Sequence, residues 1–144
     1  MQNLVKAVRI QEEDFSMEAE VGALRAISGR IGGIATFLGC ARDFSEGRDV
    51  FSIEFEQYAG MAEKAMQALR SEALDRFDII EARIIHRVTT VHAGDQIVLV
   101  VVGAEHRGPA FDACEWLIDE LKKRVPIWKK EMTPDGDSWV TQHP

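Results

Sequence analysis

Residues 97–102, Ile-Val-Leu-Val-Val-Val, form an unbroken apolar and mostly β-branched run. A strand on a half-exposed sheet would alternate polar and apolar residues, so this run predicts a central strand covered on both faces. The remaining strands have to lie around it. Ile34 to Leu38 reads as a buried strand. Phe51, Ile53 and Phe55 alternate with Ser52, Glu54 and Glu56, the mark of a strand with one buried face. Ile79 to Val88 is another strand, followed by a turn at Ala93-Gly94-Asp95. Ile127 to Met132 is extended, with Ile127, Lys129 and Glu131 on one face and Trp128, Lys130 and Met132 on the other. Thr133-Pro134-Asp135-Gly136 predicts a turn, with a last short strand at Trp139-Val140.

Helical spacing appears in three places. Ser16 can cap a helix running to about Ser28, with Glu18 and Glu20 in its first turn, and Gly32 and Gly33 break it. Gly60 opens a second helix with apolar positions Ala65, Met66, Leu69, Ala73 and Phe77. Gly108-Pro109 begins the third, with Pro109 suited to the first helical position. Its predicted buried stripe is Phe111, Cys114, Leu117, Ile118 and Leu121, and Pro126 ends it. The order α-β-β-α-β-β-α-β predicts one α+β domain over residues 1–144, with a mainly antiparallel sheet and about three helices.

Charge narrows the function. The chain carries 17 basic and 24 acidic residues, a net charge of −7, which argues against general nucleic-acid binding. No stretch approaches the roughly 18 apolar residues of a membrane span, and the N-terminus lacks the features of a secretory signal. The expected compartment is the cytoplasm. Cys40 and Cys114 are the only cysteines, far apart, so neither a cysteine zinc site nor a disulfide is expected.

Within this acidic chain Lys122, Lys123, Arg124, Lys129 and Lys130 gather with no acid between them. They read either as a solvated helix end or as the wall of an anion site. Lys122 falls in the last helical turn and Lys129 on the next strand, so a reversal near Val125-Pro126 could bring both to one pocket. His106 and Arg107 precede a helix start, where outward N–H groups favour a phosphate. Their alternative is a surface ion pair and a loop filler. Arg42 follows Gly39-Cys40-Ala41 at the end of a buried strand and could reach a site there. Cys40 is expected to be a small buried hydrophobe, with a persulfide carrier as the alternative. For His86-Arg87, strand alternation points one side chain inward and a structural role is preferred. His92 and His143 have no companions.

At these residues the chain resembles the large subunit of molybdopterin synthase, from near its N-terminus to about Val140. The resemblance rests on G-C-A-R (39–42), E-Q-Y-A-G-M (56–61), I-H-R-V (85–88), G-D-Q-I-V (94–98) and A-E-H-R-G-P-A-F (104–111). The most specific segments are L-K-K-R-V-P-I-W-K-K-E (121–131) and T-P-D-G-D-S-W-V (133–140). The resemblance implies an α/β hammerhead-type fold and a homodimer of large subunits. Each would bind a small ubiquitin-like sulfur-carrier subunit, giving a heterotetramer. The implied reaction converts cyclic pyranopterin monophosphate to molybdopterin, in molybdenum cofactor biosynthesis. Two sulfurs come from the carrier's thiocarboxylated C-terminus. No cofactor and no metal is implied. The implied catalytic pair is Lys122 and Lys129. The implied substrate-binding residues are Cys40, Ala41, Arg42, His106, Arg107, Lys130 and Glu131 together with that pair. Cys40 departs from the basic residue common at its position, and the chain stops at Pro144 where many relatives have a longer tail. Two other readings compete: a persulfide sulfurtransferase using Cys40, and a non-catalytic module that docks a ubiquitin-like protein.

Overall fold

A computed structural model of the chain describes residues 4–45, 48–50, 52–57 and 60–140. Among them the elements run β1 (Val8–Gln11), α1 (Met17–Arg25), β2 (Gly33–Cys40), β3 (Phe44–Ser45), β4 (Arg48–Asp49), β5 (Ser52–Gln57) and α2 (Met61–Arg76). They continue with β6 (Glu81–Arg87), β7 (Thr90–His92), β8 (Gln96–Ala104), α3 (Arg107–Arg124), β9 (Ile127–Thr133) and β10 (Gly136–Val140). The expected α+β class holds. One sheet has the order β1-β6-β8-β2, another β10-β9-β5-β7, and β3 and β4 pair as a two-stranded ribbon. All the pairings are antiparallel except β1 with β6.

The apolar run sits where its composition demands, as the interior strand β8. Its Val98, Val100 and Val102 face a core closed by Met66, Leu69 and Ala73 of α2 and by Cys114, Leu117 and Leu121 of α3. Leu99 and Val101 face the other way, onto Leu24 of α1 and onto Phe15 just before that helix. The α1 cap is as expected, with the Ser16 side chain accepting from the Ala19 N–H. Gly32 does more than end a helix. A Cβ there would come within 2.4 Å of the Glu105 carbonyl oxygen, so the backbone can pass only as glycine. The turn at 133–136 forms as expected: Gly136 takes φ 114° and Thr133 Oγ1 donates to the Gly136 carbonyl at 2.6 Å.

Three details differ. α3 starts at Arg107, which makes Pro109 its third residue rather than its first. Proline is tolerated there because first-turn N–H groups have no partner within the helix. Phe111 is not in the buried stripe; it is 62% exposed. It lies seven residues before Ile118 on nearly the same line of the helix, but only Ile118 reaches the seam where the two sheets meet. β1, β7 and the β3–β4 ribbon, where a polar loop over Asp43 to Asp49 was expected, were not anticipated. Gly47 and Phe51 lie outside the described residues.

β1 escapes a hydrophobicity reading because it buries a charge. Glu20 of α1 is fully buried between two guanidinium groups. Arg9 reaches it with Nη1 at 3.2 Å and Nη2 at 2.5 Å, and Arg83 with Nε at 3.0 Å. Arg83 Nη2 also donates to the Leu4 carbonyl at 2.7 Å, and Arg9 Nη1 to that of Lys6 at 3.0 Å. Removing one partner from a buried ionic cluster leaves charge uncompensated in a medium that solvates it poorly. Glu20→Ala should lower the unfolding free energy by about 3–5 kcal/mol in denaturant titration. Removing the exposed Arg30–Glu105 pair by Arg30→Ala should cost under about 1 kcal/mol. Equal costs would mean that the Glu20 cluster is not structural.

Candidate active site

A cavity of about 310 Å³ opens where the ends of β2, β6 and β8 meet β5, β9 and the last turn of α3. Its apolar wall includes Phe37, Ile53, Phe55, Val98 and Ile118, and its charged wall is Arg42, Lys122, Lys129 and Glu131. The local chain geometry explains this convergence. The residue before a proline is driven out of helical geometry, and Val125 accordingly takes φ −92° and ψ 123°. Its N–H still closes the helix on the Leu121 carbonyl at 3.1 Å, and the Ile127 N–H then bonds the Val125 carbonyl at 2.9 Å. The chain turns back within these residues, so the end of α3 and the start of β9 face the same space.

Period-two alternation then sorts the β9 side chains. Lys129 and Glu131 point inward, opposite Phe55 and Ile53 of β5, and are only 9% and 2% exposed. Lys130 points to the outer face. Its Nζ lies 3.8 Å from Asp137 and 5.5 Å from the centre of the Trp139 ring. The cavity of a single chain therefore does not include Lys130, against the expectation that it lines the pocket.

Cys40 and Arg42 come from the end of β2. The β2–β8 register shifts between Gly39 and Cys40, a bulge that re-aims the residues after it. A Cβ on Gly39 would meet Val98 Cγ1 at 2.6 Å, so this wall closes tightly only with glycine there. Ala41 is buried; its N–H bonds the Asp95 carbonyl and its own carbonyl accepts from the Gly94 N–H, both at 2.9 Å. Cys40 is exposed on the cavity wall rather than buried as a small hydrophobe. His86, given a structural role from the sequence, also lines the cavity. The available signal was its parity with Ile84, which faces the helix-covered core. The bulge had no signal in the sequence.

His106 and Arg107 take the expected place, as N-cap and first residue of α3, and both are exposed. They do not join the lysine cavity within one chain. α3 has 18 residues, which puts its two ends about 25 Å apart at 1.5 Å per residue. His143 lies outside the described residues. Among the described residues no three His, Cys, Asp or Glu side chains cluster as a metal site, and no helix is long and apolar enough to cross a membrane.

Fold and cavity together define an α+β domain of the ligand-binding kind, with surplus positive charge and an apolar wall at the seam of two sheets. Residues 10–124 match the family model described as MoaE protein. The chain is 48% identical over 133 residues to the molybdopterin synthase catalytic subunit of Ralstonia nicotianae, covering 92% of this chain and 76% of that protein. It superposes on the crystal structure of molybdopterin synthase from Staphylococcus aureus with a TM-score of 0.88 at 31% identity, covering 95% of this chain and 98% of that one. A complex of subunits 1 and 2 of molybdopterin-converting factor from Helicobacter pylori shares the fold, with a TM-score of 0.78 at 19% identity over 96% and 94% of the chains. The chain belongs to the MoaE protein family.

The two thiols should behave differently. Burial pushes the Cys114 thiol up to about 11, which keeps it protonated at neutral pH and poorly nucleophilic. Cys40 is exposed. Alkylation of the native protein near pH 8 should therefore modify Cys40 alone, and Cys40→Ala should abolish the fast labelling. Fast labelling of Cys114, located by peptide mass, would contradict this arrangement.

Proposed function

We propose that this chain is the catalytic subunit of molybdopterin synthase. In this reading it transfers sulfur from the thiocarboxylated C-terminus of a small ubiquitin-like carrier to cyclic pyranopterin monophosphate, forming the dithiolene of molybdopterin. The observation that carries the reading is the convergence of Lys122, Lys129 and Arg42 on one partly apolar cavity. The substrate brings a phosphate and the carrier brings a thiocarboxylate, so two anions must come close together. Two unit charges 4 Å apart repel by about 4 kcal/mol at an effective dielectric near 20. Three cations against the single carboxylate of Glu131 offset that repulsion, and the apolar wall suits a flat heterocycle.

Lys122 handles proton transfer or carbonyl activation at the carrier's terminus, and Lys129 stabilises charge on the phosphate side. The functional assembly is a homodimer of this chain with one carrier on each copy, a heterotetramer in the cytoplasm. The separation along α3 gives the dimer a chemical purpose. His106 and Arg107 are too far from their own Lys122 to share an anion with it, so they act on the cavity of the second copy. Arg107 and the helix N-terminus hold phosphate there.

The test combines the protein with thiocarboxylated carrier and the cyclic pterin, and follows dithiolene by fluorescence of its oxidised derivative. Lys122→Ala and Lys129→Ala should each lower turnover by about 10²–10³-fold, the usual cost of losing a group that stabilises developing charge. Lys130→Ala should stay within a few-fold of the parent. Near-normal turnover in both lysine variants ends this assignment. Mixing Lys122→Ala with Arg107→Ala chains and allowing them to exchange should restore activity, because one site of each mixed dimer is intact. Exchange without recovery would mean that Arg107 does not act on the cavity of the second copy.

The exposure of Cys40 on the cavity wall favours one second reading, a persulfide carried on that thiol. Cys40→Ala separates the two: the thiocarboxylate route keeps its activity, and the persulfide route loses it together with a sulfur mass adduct.

A further inference from the structure

We propose that His86 is the general base for the water that frees the carrier once its sulfur has bonded to the pterin side chain. This rests on the sulfur-transfer reading above. In that chemistry the thiocarboxylate sulfur bonds to a side-chain carbon of the pterin as a C–O bond at that carbon breaks, the oxygen leaving on the opened phosphate or as water, and the carrier stays attached through an acyl C–S bond. The carrier must then leave as a carboxylate, so its acyl carbon gains oxygen and loses sulfur. Water adds to that carbon, the C–S bond breaks, and the sulfur stays on the pterin as a thiolate. One water yields one carboxylate, one thiolate and two protons. The first proton needs an acceptor as the O–C bond forms; the second leaves from the carboxylic acid on release.

Arg42 has no lone pair with which to take up a proton, and Lys122 and Lys129 are already engaged with the carrier's terminus and the phosphate in the reading above. The other titratable groups on the wall are His86, Glu131 and the Cys40 thiol. Glu131, two residues from Lys129 on the same buried face, balances the cations. His86 is held as a general base should be. Its Nδ1 lies 2.7 Å from the Arg87 carbonyl oxygen, which can only accept, so Nδ1 carries the proton and the basic lone pair of the neutral ring belongs to Nε2. That carbonyl belongs to an anchored residue. Arg87 Nε donates to the Glu12 carbonyl at 3.0 Å and Nη1 to that of Gln96 at 3.2 Å. Phe55 meets the imidazole edge-on, with centroids 5.4 Å apart at 73°. The ring is only 5% exposed, yet it forms part of the cavity wall. A histidine with only a packing role would also be buried and bonded, so the test needs a readout that packing does not move.

Single-turnover reactions with carrier and cyclic pterin compare the parent protein with His86→Gln, which keeps hydrogen bonding but accepts no proton near neutral pH. The variant should bind carrier normally and turn over about 100-fold or more slowly. It should accumulate the carrier–pterin thioester by intact mass and lose the acidic limb of the rate profile, where protonation of the base stops the parent. Parent-like turnover, or a slower rate with no adduct and an unchanged profile, overturns the proposal. If His86→Gln does not fold, the parent protein decides. The imidazole titration of His86 by NMR should coincide with the acidic limb, and a mismatch beyond about one pH unit overturns the proposal. A parent that forms no dithiolene removes the sulfur-transfer reading and this one with it. An active parent beside an equally active variant removes this one alone.

Discussion

Pro126 denies α3 another turn, and the site depends on that denial. A helix continued past Val125 would send Lys129 along the α3 axis, away from β5. Instead Val125 adopts extended geometry and β9 returns antiparallel to β5. Two residue-level constraints thus set the position of the lysines: the steric clash before a proline, and the two-residue period of a strand. The same period that turns Lys129 inward turns Lys130 outward, so adjacent residues of the same type serve different surfaces.

The scaffold around this reversal is rigid where the site needs it. β8 is packed on both faces, and β2 and β6 flank it. The far side of that sheet carries the Glu20 cluster, which ties β1, α1 and β6 together through paired charge rather than apolar area. The Glu20 cluster does not line the cavity. Each of the two features holds a strand whose end does: β8 through Val98 and β6 through His86.

Much of this was legible in the sequence, for identifiable reasons. The β-branched run at 97–102 has one sheltered solution, the turn at 133–136 has a strong chemical signature, and alternation correctly divided β9. The sequence also put forward Lys122, Lys129 and Arg42 as candidates, and all three line the cavity. Legibility failed where the governing contact is remote in sequence. β1 was not anticipated, because it is short, carries Arg9, and finds the partner that neutralises Arg9 eleven residues away on another element. Phe111 fitted the helical stripe, but helical spacing does not reveal where the covering sheet ends. The resemblance grouped His106 and Arg107 with Lys122, and the length of α3, which holds them apart within one chain, is not part of that grouping. His86 was read as structural because a buried strand position says nothing about whether a cavity opens beside it.

The central claim is that Lys122 and Lys129 hold a negatively charged chain terminus inside the cavity. Calorimetric titration of the parent protein with the carrier's C-terminal peptide tests it most directly, using a free carboxylate terminus against a neutral amide-capped one. The account predicts that the charged peptide binds at least about tenfold more tightly, roughly 1.4 kcal/mol, and that the difference disappears when both lysines are replaced by alanine. Equal affinity for the two peptides in the parent protein would contradict it.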